Sequence, residues 1–133
     1  MELTNLLAEN ILTSYNVMMD SLSKGEAPTL IVFGLMRNVN ILKSELEAYL
    51  TMKKKLIEKH NITSDEQINT TPEGQAFVEE LTPIASEKIK IEFHKLNLTF
   101  EQLCEKMETC NAMIAGDVRM LSLICSDETT ITT

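Results

Sequence analysis

The sequence predicts a mainly α-helical fold, a helical hairpin or bundle around one long amphipathic helix, with a minor β element. Apolar residues recur at alternating intervals of three and four between about residues 30 and 61. They alternate with polar residues only near residues 88–96. An apolar content of 44% with 24% charged residues is typical of a globular domain. We therefore expect one helical domain over residues 1–126, followed by a frayed polar tail at 127–133.

The long helix, at about residues 30–61, is the best-defined predicted element. Only Lys53 interrupts its apolar stripe, which consists of Val32, Leu35, Val39, Leu42, Leu46, Tyr49 and Leu56. This register continues for about four heptads, which favours a helix over a strand. The lysines at 53–55, together with Lys59 and His60, complement the negative end of the helix dipole, and Asn61 is suited to end the helix.

A second apolar face is predicted on the same helix. Phe33 and Ile41 lie away from the main stripe, and Arg37 falls midway between them. A helix that is apolar on several sides is usually covered on several sides. Later elements of the chain or a second copy could supply this cover. Arg37 is either partly buried beside a carboxylate or carbonyl group, or exposed with its stem along apolar surface.

The N-terminal helix is predicted over residues 4–23, with Thr4 as its N-cap. Gly25 and Pro28 interrupt the helical pattern, so a short loop should join this helix to the long one as an antiparallel hairpin. After the long helix, residues 61–71 are polar and lack a helical period. This segment is predicted to be a surface loop.

Three later signals place helix boundaries. Residues 70–73 have capping-box spacing from Thr70 to a glutamate, and Pro83 is expected to kink or restart the helix that follows. Residues 99–102 form a second capping-box pattern at the start of another helix. Residues 116–117, Gly-Asp, indicate a break before a final helix.

One segment has the two-residue period of a half-buried strand. Ile89, Ile91 and Phe93 alternate with polar residues at 90, 92 and 94. A single strand cannot form a sheet, so its partner is another protomer or a second segment of this chain. The candidate segments are residues 2–4, the region near Ile68 and the tail near Ile131. Left unpaired, the strand would be open to strand addition.

Composition argues against several classes of protein. A net charge of −8 opposes direct binding to a phosphate backbone, which needs a basic patch. No apolar run approaches the length of about 18 residues that spans a bilayer, and the N-terminus lacks the basic region of a signal peptide. The three cysteines, Cys104, Cys110 and Cys125, have no CxxC spacing. We therefore expect reduced thiols in the cytoplasm.

Motifs that carry chemistry are missing from the sequence. Neither histidine, His60 or His94, has a second ligand at metal-binding spacing. The four glycines are isolated, so no phosphate-binding loop is expected. Adjacent acids on a helix point about 100° apart and do not converge on one proton or metal. We expect no enzymatic activity, no metal and no cofactor.

A series of short motifs follows the predicted helices. They are Leu35-x-Arg37-Asn38-x3-Leu42-x2-Glu45, Tyr49, Leu56-Ile57-Glu58-Lys59, Phe77-x2-Glu80-Leu81 and Glu87-x-Ile89-x-Ile91. Over roughly residues 5–125 this order resembles a group of short phage-encoded proteins of uncharacterised function. The chain departs from that group in lacking a Gly-containing acidic turn after the lysine-rich turns, and in having Pro83 in its third helix. The resemblance implies a phage origin and a cytoplasmic site of action, but no catalytic residue.

These observations favour a non-catalytic phage accessory protein that binds or occludes a host or phage macromolecule, or sequesters a small ligand. Occlusion of a basic groove on a host defence protein is one form of this. The alternative is a virion structural or assembly protein, and the third reading is a small enzyme of unknown chemistry. We expect a protein partner and a homodimer or small homo-oligomer. The predicted contact residues are Phe33, Arg37, Ile41, Ile89, Ile91 and Phe93.

Overall fold

The computed structural model describes residues 1–23, 27–109 and 118–126. In chain order its elements are β1 (Glu2–Thr4), α1 (Asn5–Ser23), α2 (Thr29–Glu45), α3 (Glu47–Lys59), α4 (Asp65–Thr70), α5 (Pro72–Ala85), β2 (Lys88–Lys90), α6 (Phe100–Thr109) and a 3₁₀ helix (Val118–Ile124). The predicted mainly α fold with a minor β element is confirmed. The predicted break at 116–117 and the predicted tail at 127–133 lie outside the described residues.

The helix predicted over residues 30–61 is two helices, α2 and α3, which meet at Leu46. This residue has φ −93° and ψ 0°. Its N–H donates to the Leu42 carbonyl oxygen at 2.9 Å, and its own carbonyl oxygen accepts from the Leu50 N–H at 2.8 Å. Helical hydrogen bonding therefore continues across the break. Because α2 packs against α1 and α3 packs against α5, the local change at Leu46 separates segments with different partners.

All members of the predicted stripe except the partly buried Val32 are buried. All but Leu56 belong to the main core cluster or pack against it. The largest fully buried side chains come from five parts of the chain: Ile11, Tyr15, Met18, Leu22, Ile31, Leu35, Leu42, Leu46, Ile91, Leu103, Leu121 and Leu123. Among the described residues, no helix combines the length and apolar character needed to cross a bilayer.

The strand at β2 has its partner within the chain. β1 pairs with β2 in antiparallel register, with Leu3 opposite Ile89. The pairing extends by one residue, since the Ile91 N–H donates to the Met1 carbonyl oxygen at 2.9 Å and the Met1 amino group donates back at 3.0 Å. Residues 2–4, one of the predicted candidates, are thus the partner. No second protomer is needed to satisfy this strand.

The regular strand ends at Lys90, earlier than the predicted 88–96, because the chain then bonds to α2. Asn38 is fully buried, and its Oδ1 accepts from the His94 N–H at 2.7 Å. The Asn38 Nδ2 donates to the carbonyl oxygens of His94 at 3.0 Å and Gly34 at 2.7 Å. A Cβ on Gly34 would collide with the Leu96 side chain. Gly34 and Asn38 together therefore let residues 94–96 lie close against α2.

Several predicted helix boundaries are confirmed by side-chain caps. The Thr4 Oγ1 accepts from the Leu7 N–H at 3.1 Å. Thr99 and Gln102 form the predicted reciprocal capping box, with bonds of 3.1 and 3.0 Å. At the end of α3, Asn61 has φ 55°, a left-handed conformation that asparagine tolerates and that ends a helix.

The region from residue 61 to residue 85 differs from its prediction in three ways. Instead of a loop, it contains α4, which begins with a capping box between Ser64 and Gln67. The N-cap of α5 is Thr71 rather than Thr70, since the Thr71 Oγ1 accepts from the Gly74 N–H at 3.0 Å. Pro83 does not restart α5, which runs on to Ala85. Helical hydrogen bonding continues past this proline, since the Ser86 N–H donates to the Thr82 carbonyl oxygen at 3.0 Å.

Candidate protein-binding surfaces

The predicted contact residues separate into exposed and packed positions. Phe33 and Arg37 are exposed on α2, and Arg37 takes the exposed alternative of the two predicted for it. Ile41 and Ile89 are half-buried and pack against the core. Ile91 is buried in the core, and the partly buried Phe93 packs against it with its ring edge-on to the Tyr15 ring at 6.5 Å. Only Phe33 and Arg37 can therefore present most of their side chains to a partner.

Phe33 and Arg37 belong to a larger exposed patch that we call the α2 surface, made of Leu30, Phe33, Met36 and Arg37. The three apolar side chains are 52%, 54% and 47% exposed. Arg37 has no hydrogen bond or ion pair with a described residue. Single exposed apolar residues are common on proteins, but three on one face of one helix form a contiguous patch.

A groove lies where α3 meets the end of α5 and the strand β2. It has a volume of about 260 Å³. Its lining residues are Asn5, Glu45, Ala48, Tyr49, Met52, Ile84, Glu87 and Ile89. Four of them are aliphatic or thioether side chains, so much of the groove wall is apolar. We refer to this feature as the groove.

The free polar groups of the groove are hydrogen-bond acceptors. Asn5 is only 7% exposed, and its Nδ2 already donates to the Ile84 carbonyl oxygen at 2.8 Å. The Asn5 Oδ1 accepts no hydrogen bond from a described residue. Glu45 and Glu87 are exposed, and neither carboxylate has an ion-pair partner among the described residues. With no lysine or arginine in its lining, the groove is suited to a positively charged donor.

Tyr49, on the groove wall, belongs to a cluster that joins α1 to α3. The Tyr49 hydroxyl donates to Glu9 Oε1 at 3.0 Å, and the Lys53 Nζ donates to Glu9 Oε2 at 2.6 Å. Lys53 is the residue that interrupts the apolar stripe of the sequence, and this ion pair accounts for its position. Since both oxygens of Glu9 are occupied, the cluster has a structural role rather than an open binding site.

The pKa values of both tyrosines are raised. Burial is the main cause in each case, and the Glu9 carboxylate adds to it for Tyr49. The Tyr15 hydroxyl also donates to the Met120 carbonyl oxygen at 2.6 Å. A phenol whose folded-state pKa exceeds its unfolded value of about 10 stabilises the fold fully below that pH, and this stability is lost as the pH rises toward the folded pKa.

We therefore expect the two tyrosines to ionise only as the chain unfolds at high pH. The chain has two tyrosines and no tryptophan, so absorbance near 295 nm reports tyrosinate directly. Its transition should coincide with the loss of helical circular dichroism, at a pH above about 10. In a Tyr49→Phe control the absorbance change should halve while the two transitions remain coincident. Ionisation of either tyrosine with the helical signal intact would contradict the expectation.

At the basic end of α3, Lys59 and His60 share one carboxylate of α5. The Lys59 Nζ lies 2.7 Å from Glu80 Oε1, and the His60 Nε2 lies 3.3 Å from the same oxygen. The hydrogen bond from Lys59 is the main cause that lowers the pKa of Glu80. In the described part of the chain, no three His, Cys, Asp or Glu side chains are grouped to hold a metal ion.

Comparisons of the chain with protein-family models, with curated proteins and with solved structures give no match. The arguments for function therefore rest on the two surfaces described above. Phe33 and Arg37 of the α2 surface were predicted as contact residues, whereas Leu30 and Met36 were not. The groove could not be predicted from the sequence, because α1, α3, α5 and β2 each contribute to its lining.

Proposed function

We propose that this chain is a non-catalytic phage accessory protein that acts by binding a protein partner, and that the α2 surface is its contact. The single observation that carries the proposal is the exposure of Leu30, Phe33 and Met36 on one face of a folded helix. The phage origin and the cytoplasmic site of action rest on the resemblance of the sequence to short phage-encoded proteins.

The composition of the α2 surface supports a protein contact. Phenylalanine, methionine and arginine are all enriched at protein interfaces relative to other surfaces. Phe33 supplies a rigid aromatic anchor, while the flexible thioether of Met36 can adapt to the shape of its partner. The surrounding helix is held by the core beneath it, where Ile31 and Leu35 are fully buried. Binding at such a preformed surface costs little conformational entropy.

The charges on α2 indicate the chemistry of the partner. Arg37 and Lys43 are its two basic residues, and its single acid, Glu45, is the last residue of the helix. The side chains of α2 therefore carry a net positive charge, opposite in sign to the net charge of −8 of the whole chain. The expected partner surface is therefore apolar and carries carboxylates, because these pair with both the apolar patch and the two cations.

Affinity capture tests the proposal. The tagged wild-type chain is expected to retain a discrete partner from a lysate of infected host cells. The double variant Leu30→Ser with Phe33→Ser should retain at least about tenfold less, since interface anchors of this kind often contribute more than 1.4 kcal/mol. Val17→Ser is the matched control, because Val17 is a 43% exposed apolar residue on α1.

The comparison has a clear negative outcome. Equal capture by the wild type and by the double variant, with both folded by circular dichroism, would show that the α2 surface is not the contact. Recovery of the chain as a component of purified virus particles would instead favour the structural or assembly role. Neither outcome depends on identifying the partner in advance.

A further inference from the structure

We infer that the partner of the α2 surface is a second copy of this chain, whose groove receives Phe33 and Arg37, and that the exchange is mutual. This inference rests on the proposed function, because it takes the α2 surface as the contact. It goes further by naming both the occupant and the surface that receives it. The result is a two-fold dimer in which each copy fills the groove of the other.

The two surfaces are complementary in polarity. The α2 surface offers an apolar patch and the guanidinium group of Arg37, which has no partner among the described residues. The groove offers an apolar wall and acceptors on Asn5, Glu45 and Glu87 that the described part of the chain leaves unpaired. A guanidinium group presents several N–H donors in a planar fork that matches carboxylate oxygens. The donor on the α2 surface and the acceptors of the groove can therefore satisfy each other.

The size of the groove fits side chains rather than a separate ligand. Sites for small molecules usually have volumes of roughly 300–1,000 Å³. The groove, at about 260 Å³, lies just below this range. Its wall includes Ala48, whose small side chain leaves space beside the longer Met52. One aromatic or arginine side chain from a neighbouring molecule would occupy such a space.

The positions of the residues along α2 and α3 permit a mutual contact. Hydrogen bonding continues through Leu46, so the residues of α2 and α3 can be compared in one helical register. On a regular helix, Phe33, Arg37, Ala48 and Met52 fall within about 100° of one another around the axis. Phe33 and Met52 are about 28 Å apart at a rise of 1.5 Å per residue.

An antiparallel pair of copies then aligns these groups. With the two-fold axis near residues 42–43, Phe33 of one copy lies opposite Met52 of the second. Arg37 lies opposite Ala48, about one helical turn from Glu45 of the second copy. Because the contact is isologous, each apolar and each charged pairing occurs twice. A closed dimer results, in which both copies use the same two surfaces.

Sedimentation equilibrium with a charge exchange tests this dimer. From about 1 to about 100 µM, the wild type is expected to reach twice the 15.0 kDa mass of the chain. Arg37→Glu alone and Glu45→Arg alone should each raise the dimer dissociation constant at least about tenfold, because each places like charges together. The double variant with both changes should return to within about threefold of the wild type, since the ion pair re-forms with its signs reversed.

Glu79→Arg is the matched control for the charge change. Glu79 is an exposed acid on α5, away from the side of α2 and α3 that forms the contact, and it does not line the groove. It should leave the dimer intact. Circular dichroism and thermal melts of each variant would show that dissociation is not caused by unfolding, because all three positions are exposed.

Three results would overturn the inference. These are a wild-type monomer at about 100 µM, a double variant that does not recover association, and a mass that keeps growing beyond the dimer. The first result, a wild-type monomer, can be distinguished from failure of the proposed function. A monomer that still captures a partner through Leu30 and Phe33 would keep the α2 surface as a contact and assign it to a different protein. If capture of the partner did not depend on Leu30 and Phe33, the proposed function itself would be contradicted.

Discussion

Replacing Leu42 or Leu46 by alanine should lower the free energy of unfolding by about 2–5 kcal/mol in each case. Both side chains are completely buried in the main core cluster. Truncation removes apolar contacts and leaves a cavity that close-packed neighbours fill only in part. Urea unfolding followed by circular dichroism measures the change. Leu46 lies between α2 and α3, so its truncation also tests how strongly the core holds the two helices together.

Glu47→Ala is the control for this pair. Glu47 follows Leu46 directly but is exposed at the first turn of α3. Its replacement should change the free energy of unfolding by less than about 0.5 kcal/mol. Equal losses at Leu46 and Glu47 would mean that the buried face of this helix has been assigned to the wrong residues. A loss confined to the leucines would support the assignment.

Features that depend on neighbouring residues could be predicted from the sequence. The apolar period of the long helical region gives the buried face directly, because the same side of a helix recurs every three to four residues. Helix caps can be predicted in the same way, because a capping side chain bonds to backbone groups only a few residues away. Thr4, Thr99 and Asn61 were predicted as boundary residues, and each acts at a helix end through its own side chain or backbone conformation.

Two local features were missed for different reasons. The helix α4 has only six residues, too few for an apolar period. Its signal was the spacing of Ser64 and Gln67, which have the capping-box pattern. The turn at Leu46 has no such signal, since leucine is a good helix former. It reflects packing of α2 and α3 on different helices, which only the tertiary structure shows.

In the candidate site too, features with a local sequence signal could be predicted, and features that depend on distant segments could not. Phe33 was expected to need cover from later elements or from a second copy, and Arg37 was expected to be either partly buried or exposed. The structure leaves both exposed. The strand residues were expected to require a partner, and β1 supplies it from a segment far earlier in the chain. The sequence could offer residues 2–4 only as one candidate among several. Pairing between distant segments has no local signal that selects one of them.

The structural role of Asn38 could not be predicted from the sequence. The residue lies at the centre of α2, a position where asparagine is a poor helix former. Asn38 contributes through hydrogen bonds to a residue 56 positions later, because its side-chain amide pairs with both the N–H and the carbonyl oxygen of His94. The side chain of one residue thus takes the place of a strand partner. This explains how the chain beyond β2 remains bonded after the sheet ends.

Asn38→Ala should lower the free energy of unfolding by about 2–4 kcal/mol. The change leaves the His94 N–H without its acceptor at a site where Asn38 is fully buried. An unsatisfied buried polar group costs about 1–3 kcal/mol, and the cavity left by the side chain adds to this. Urea melts measure the total, and amide hydrogen exchange at His94 should become faster than in the wild type.

Two further variants separate hydrogen bonding from volume. Asn38→Leu fills the space without supplying a donor or acceptor, so it should remain destabilised by more than about 1 kcal/mol. Asn40→Ala, at an exposed position of the same helix, should change stability by less than about 0.5 kcal/mol. If Asn38→Leu were as stable as the wild type, packing alone would hold residues 94–96 against α2. Protection of the His94 amide would then have to come from another group, since the Asn38 Oδ1 is the acceptor seen in the structure.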